Sequence, residues 1–250
     1  MEQQVQAKQG KVWLIGVGPG DAELLTLKAA RVLREAEVWL VDDLVGPDIL
    51  ALAPPGTLVE PVGKRGGRHS VSQRIIEQRM LAHVLAGRQV ARVKGGDPLL
   101  FGRGGEELDF LRAHGIGCEV INGITSAAAA AQALGIALTH REHGHGVSFV
   151  TAHTATGSEP NWRALVASGT TLAIYMGMHR LEALRDALRE AGLAGSTPAA
   201  IVMQASRPDV RCWQGVLDAL ADARAAGLAS PAIILIGGVA GQGGAVAAQP

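Results

Sequence analysis

The sequence predicts an α/β protein made of two α/β domains with mostly parallel sheets. From Lys11 onward, short apolar runs bounded by glycine alternate with segments of helical period, the signature of βα units. The alternation restarts near Val147, and 48% hydrophobic content over 250 residues is enough for two cores of ordinary domain size. The expected domains are residues 11–125 and 126–242, with tails at 1–10 and 243–250.

Residues 12–15 read as a buried strand, and Asp21 offers an N-cap for a helix whose stripe is Leu25, Ala29, Val32, Leu33 and Ala36. Lys28, Arg31 and Arg34 fall on its outer face. Val38–Val41 is the next strand, and Ser72 can cap a helix carrying Ile76, Met80 and Val84. Residues 89–93 form a third strand, Leu108 and Leu111 mark another helix with Gly115 at its C-terminal end, and Cys118–Ile121 is a fourth strand. In the second half, strands are expected at Val147–Thr151, Thr171–Tyr175, residues 199–203 and Ala232–Ile236, with helical stretches beginning near Asn161, His179 and Gly215. The alanine-rich stretch after Ser126 joins the halves and has the composition of a buried helix.

Four polar, glycine-rich segments each follow an apolar strand: residues 16–20 (GVGPG), 42–45 (DDLV), 94–98 (KGGDP) and 122–126 (NGITS). In a parallel sheet such segments emerge at one carboxyl edge, the edge at which open α/β sheets bind ligands. The first segment opens like a dinucleotide fingerprint, yet Asp21 stands where the third glycine belongs and Pro19 removes one N–H donor. No Gly-x-x-x-x-Gly-Lys-[Ser/Thr] loop is present, which argues against an NTPase. The stretch 94–107, KGGDPLLFGRGGEE, packs two glycine pairs around an Asp-Pro step. Residues without Cβ let backbone press against a flat ligand such as adenosine, while Asp97 can accept hydrogen bonds from ribose hydroxyls or an ammonium group.

Composition excludes several partners. Twenty-three basic residues balance 23 acidic ones, so the broad basic footprint of a duplex-binding protein is missing, and an anionic ligand must be met by a local cluster. Lys64, Arg65, Arg68 and His69 form the densest basic group, and Arg103, His140, Arg141, His143 and His145 form a second. The apolar windows 127–138 and 231–240 are shorter than the roughly 20 residues of a membrane span, residues 1–11 carry no secretory apolar stretch, and two cysteines make neither a disulfide framework nor a zinc site. A cytoplasmic protein is expected.

The segments IGVGPGDAELLTLKAARVL, VGKRGGRHS, KGGDPLLFGRGGEE, NGITSA, GIALTHR, YMG and SPAIILIGGV carry a resemblance. They are similar, in order and nearly in spacing, to the uroporphyrinogen-III C-methyltransferases of the tetrapyrrole methylase family, over residues 12–239. VGKR, KGGDP and LTHR are the specific elements. The resemblance implies a homodimer of two α/β domains of the tetrapyrrole methylase type, with the active site in the interdomain cleft. It implies S-adenosyl-L-methionine as methyl donor, S-adenosyl-L-homocysteine as product, and conversion of uroporphyrinogen III to precorrin-2 for sirohaem or cobalamin. Pro19, Gly95, Gly96, Asp97, Leu100, Thr125, Ser126, Met176 and Ala205 fall at donor-contacting positions, and Asp42 and Lys64 at the acid–base positions. Arg65, Arg68, Arg103, His140 and Arg141 are expected to meet the substrate's carboxylates, for which arginine forks are suited. No metal is expected, because displacement at a sulfonium needs none.

The chain departs from the family pattern at Val41-Asp42-Asp43, where Tyr-Asp-Arg is common, and at Glu77, Asn122 and Gly238, where asparagine, proline and glutamate are usual. Three other readings stay open: a methyltransferase of a later precorrin, a non-catalytic tetrapyrrole-binding protein, and a nicotinamide oxidoreductase. Asp21 weighs against the last of these.

Overall fold

Strand β1 (Lys11–Gly16) is buried on both faces, as an apolar run without alternation demands. It lies inside a five-stranded sheet of order β3-β2-β4-β1-β5, with β2 at Val38–Val41, β3 at Leu58–Pro61, β4 at Gln89–Lys94 and β5 at Cys118–Ile121. Every pairing in this sheet is parallel. The computed structural model describes residues 10–63, 72–152 and 159–244. The chain divides into two compact units, residues 1–125 and 126–250, and the parallel sheet belongs to the first.

The register alternates large and small side chains across this sheet. Ala91 of β4 lies between Trp13 of β1 and Trp39 of β2, so two indoles fit on one face, and the Trp39 Nε1 donates to Leu33 O at 3.1 Å. Helix α1 (Leu27–Glu35) covers that face with Ala29, Val32 and Leu33. The opposite face carries Val12, Val38, Leu40 and Val90, packed against Ile76, Met80 and Val84 of α3 (Gln73–Leu85) and Leu111 of α4 (Gly104–Ala113). The short α2 (Pro47–Leu50) precedes β3.

In the second unit, α5 (Ser126–Leu134) is the expected buried alanine helix, with Ala127, Ala129, Ala130, Ala131 and Leu134 inside. The second sheet has the order β6-β7-β10-β8-β9, with β6 at Val147–Thr151, β7 at Thr171–Tyr175, β8 at Pro198–Met203, β9 at Arg211–Val216 and β10 at Ala232–Ile236. One face takes α5, and the other takes Trp162 of α6 (Trp162–Ala167) and Leu181, Leu184 and Leu188 of α7 (Leu181–Glu190). The short α8 (Asp222–Ala225) follows β9.

Three expectations need correction. Asp21 caps a separate 3₁₀ turn, Ala22–Leu24, by accepting from Glu23 N. The true cap of α1 is Thr26, whose hydroxyl accepts from Ala29 N at 3.1 Å, because Leu25 and Thr26 are extended. The second sheet is mixed: β6 and β7 are parallel, while β10 runs antiparallel to β7 and β8, and β9 antiparallel to β8. Gly215 begins no helix; it lies within β9, an edge strand whose residues are mostly exposed and so lack an apolar alternation. Strand β3 was not anticipated, for it too is a short, half-exposed edge strand.

Candidate active site

The loops that follow β1, β4 and β5 are joined by hydrogen bonds at the carboxyl edge of the parallel sheet. Gly18 and Gly96 form an antiparallel bridge, with Gly18 N donating to Gly96 O at 3.2 Å and Gly96 N to Gly18 O at 2.6 Å. Both have positive φ, +74° and +68°, a region that glycine enters without strain. Gly16 approaches the other two loops so closely that a Cβ there would lie 2.6 Å from both Gly123 N and Gly96 O. Asp97 closes the cluster: Oδ1 accepts from Leu99 N at 2.9 Å, and Oδ2 accepts from Asn122 Nδ2 at 3.1 Å and Gly123 N at 3.3 Å. Asn122 therefore supplies a side-chain donor that ties two loops together.

The loop after β2 joins the same edge. Asp42 N donates to Val93 O at 3.0 Å, and a Cβ on Gly95 would stand 2.9 Å from Leu44 Cβ. The Asp42 side chain is 32% exposed and borders an open concavity of about 200 Å³ lined also by Val41, Asp43, Leu50, Val59 and Pro61. The edge thus brings Pro19, Gly95, Gly96, Asp97 and Asp42 into one neighbourhood, with Leu100 N donating to Asp97 O at 3.3 Å.

The chemistry of this edge suits a flat, partly apolar ligand better than a pyrophosphate. The amides of Val17 and Gly18, which a phosphate cradle would need, already donate to Lys94 O and Gly96 O. Leu44, Leu99 and Phe101 expose 52%, 51% and 38% of their surface, giving the loops apolar side chains for a ring to rest on. Phe101 and Arg103 hold φ of +54° and +58°, strain that clusters at ligand sites. An adenosyl group fits this donor-poor, glycine-edged surface.

Behind the edge lies a buried charge cluster. Arg92 and Lys94 of β4 and Glu107 of α4 are 1%, 3% and 0% exposed. Arg92 Nε donates to Glu107 Oε1 at 2.9 Å, its Nη1 to the carbonyls of Leu40 and Val93 at 3.2 and 3.3 Å, and its Nη2 stands 3.6 Å from Asp42 Oδ1. Lys94 Nζ is 3.4 Å from both Glu107 oxygens, and Gln73 Nε2 donates to Oε1 at 3.1 Å. Burial, followed by the charge of Arg92, holds the Lys94 ammonium below its ordinary pKa, against the pull of Glu107 and Asp42. Sequence reasoning missed Arg92 and Glu107; the signal was a cation inside an otherwise apolar strand, which must find a buried partner.

Of the expected carboxylate-binding residues that are described, Arg103 belongs to the first unit, and His140 and Arg141 to the second. Arg103 is exposed and its fork is bidentate to Glu106, at 2.9 and 2.6 Å. That hydrogen bond holds the Glu106 carboxyl below its ordinary pKa and raises Arg103 above its own. Glu77 moves the other way, pushed up first by burial and then by the charges of Glu106 and Glu107. Lys64, Arg65, Arg68 and His69 lie outside the described residues.

In the second unit a tight turn closed by His140 N to Gly144 O (2.8 Å) and Gly144 N to His140 O (3.0 Å) holds the 140–143 group. The rings of His140 and His143 stack at 4.8 Å, Arg141 is exposed, and the ligating atoms of His140, Glu142 and His143 lie within 4.8 Å of one another. Gly238 faces His143 so closely that a Cβ would sit 3.1 Å from His143 Cβ. Met176 follows β7 with φ +57°, and the buried Ala205 follows β8 between Gln204 (φ +55°) and Ser206 (φ +63°). Ser126 starts α5, the residue after Thr125, and the Tyr175 hydroxyl accepts from Ala127 N in the first turn.

A model of the tetrapyrrole (corrin/porphyrin) methylases matches residues 11–221. The uroporphyrinogen-III C-methyltransferase of Pseudomonas aeruginosa is 51% identical over 231 residues, 92% of this chain and 94% of that protein. The crystal structure of uroporphyrin-III C-methyl transferase from Thermus thermophilus, complexed with S-adenyl homocysteine, is similar with a TM-score of 0.80 at 39% identity, over 92% of each chain. The structure of a cobalt precorrin-4 methyltransferase gives a TM-score of 0.81 at 31% identity, over 90% of this chain and 94% of that one.

Proposed function

The chain belongs to the tetrapyrrole (corrin/porphyrin) methylases, and we propose that it methylates uroporphyrinogen III with S-adenosylmethionine, giving precorrin-2 by successive methylations at C2 and C7. The product serves sirohaem or cobalamin synthesis. The observation that carries this reading is the joined edge of residues 16–20, 94–98 and 122–123, where glycine backbone, exposed leucine and phenylalanine, and the acid Asp42 meet. S-adenosylmethionine supplies an electrophilic methyl group; every other requirement falls on positioning and on charge.

Pro19, Gly95, Gly96 and Leu100 present backbone and small apolar surface to the donor, and Asp97, already holding three N–H groups, keeps that surface in shape. Thr125, Ser126, Met176 and Ala205 are the remaining proposed donor contacts. Asp42 stabilises the positive charge that methylation leaves on the tetrapyrrole and then accepts a proton from it, with Lys64 as the second acid–base residue. Arg65, Arg68, Arg103, His140 and Arg141 meet the substrate carboxylates; Arg103 does so by exchanging Glu106 for the ligand. The working form is a cytoplasmic homodimer.

The similarity to a cobalt precorrin-4 methyltransferase, with a TM-score of 0.81, keeps methylation of a later precorrin as the second reading. Anaerobic incubation of the purified protein with S-adenosylmethionine and either uroporphyrinogen III or a later precorrin decides between them. Two methyl groups should enter uroporphyrinogen III. Methylation confined to the later precorrin overturns the first reading, and donor binding with neither product overturns both. Asp42→Asn should lower kcat by about 100-fold or more, the scale of a lost general base, and leave the donor Kd within about twofold.

A further inference from the structure

We propose that Arg92 is a positioning residue that holds Asp42 for reaction. The inference rests on the acid–base role of Asp42 proposed above and extends it to a residue buried behind it. Arg92 lies mid-sheet, in register with Leu14 of β1 and Leu40 of β2. A guanidinium at such a place is costly to desolvate, and an apolar side chain of similar volume would serve the core as well or better. Its presence asks for a function that an apolar residue cannot supply.

The geometry supplies one. Three of its contacts, Glu107 Oε1 with Nε and the carbonyls of Leu40 and Val93 with Nη1, fix the plane of the fork. The remaining nitrogen, Nη2, stands 3.6 Å from Asp42 Oδ1, an ion-pair distance that lies beyond a hydrogen bond. Arg92 is 1% exposed while the Asp42 side chain is 32% exposed, so the cation grips the carboxylate from the core side and leaves it a face toward the open concavity. Lysine at the same place has a single nitrogen and cannot reproduce the fork.

The test is a double-mutant cycle read in kcat for methyl transfer, with donor Kd and Tm measured in parallel. Arg92→Lys should lower kcat about tenfold or more in the native background, leave donor Kd within about twofold, and cause no further loss on top of Asp42→Asn. Arg92→Met is the second variant and should behave the same way; it leaves Lys94 and Glu107 as a charge-matched pair at 3.4 Å, so the core stays neutral if Arg92→Lys does not fold. An equal loss in both backgrounds marks a purely structural role and overturns the inference, as does unchanged kcat. Native turnover by Asp42→Asn alone overturns the reading of Asp42 itself, a failure distinguishable from that of the Arg92 coupling.

Discussion

Glu119 shows how much a surface carboxylate can be bound up with its neighbours. Lys11 Nζ and Lys28 Nζ lie 2.7 and 2.6 Å from its two oxygens, and Trp13 Nε1 donates to it at 3.2 Å. The hydrogen bonds from Lys11 and Lys28 hold its pKa down to about 2, from 4.5. A carboxyl depressed by folding contributes stability that is complete above its unfolded pKa and lost as pH falls toward the folded one. Glu119→Gln should therefore lower Tm near neutral pH, with the difference from the parent shrinking between about pH 4.5 and 2 and under high salt. Thermal unfolding across that range checks it, and a difference undiminished between pH 4.5 and pH 2 contradicts it. Cys118 illustrates the opposite displacement: burial pushes its thiol up to about 11, which disfavours the thiolate.

The elements that the sequence declared are those whose residues have one dominant job. Strands β2, β5, β6, β7 and β10 follow their apolar runs residue for residue, and α5 is buried as its alanines require. What stayed hidden answers to tertiary context. Strands β3 and β9 are edge strands with exposed residues, so nothing in their pattern separates them from loop. Thr26 won the cap of α1 because the chain extends through Leu25 after the 3₁₀ turn, a local choice that an equally good Asp21 disguised. The site was legible as four segments at one sheet edge, whereas the bonding that joins them through Asp97 and Asn122 was not. Gly16 tests that bonding: Gly16→Ala places a Cβ 2.6 Å from Gly123 N and Gly96 O, an overpacking that costs about 1–3 kcal/mol. Tm should fall and donor Kd should weaken about tenfold, the equivalent of ~1.4 kcal/mol; unchanged values for both would mean that the three loops move independently.

Among the described residues, each unit places its non-glycine left-handed residues in loops that follow strands of one direction. In the first, Phe101 and Arg103 follow β4; in the second, Met176 follows β7, and Gln204 and Ser206 follow β8. Strands β7 and β8 both run antiparallel to β10 and so point the same way, which lets a mixed sheet imitate what the parallel sheet does by construction. Two unlike sheets therefore each present loops with left-handed residues at a single edge, the edge at which open α/β sheets bind ligands. We propose that residues 95–97 hold the methyl donor. A crystal of this protein soaked with S-adenosylhomocysteine should show the adenosyl group lying against the Gly95 and Gly96 backbone beside Pro19 and Leu100; electron density for it elsewhere, with Gly95 and Asp97 facing solvent, would contradict the account.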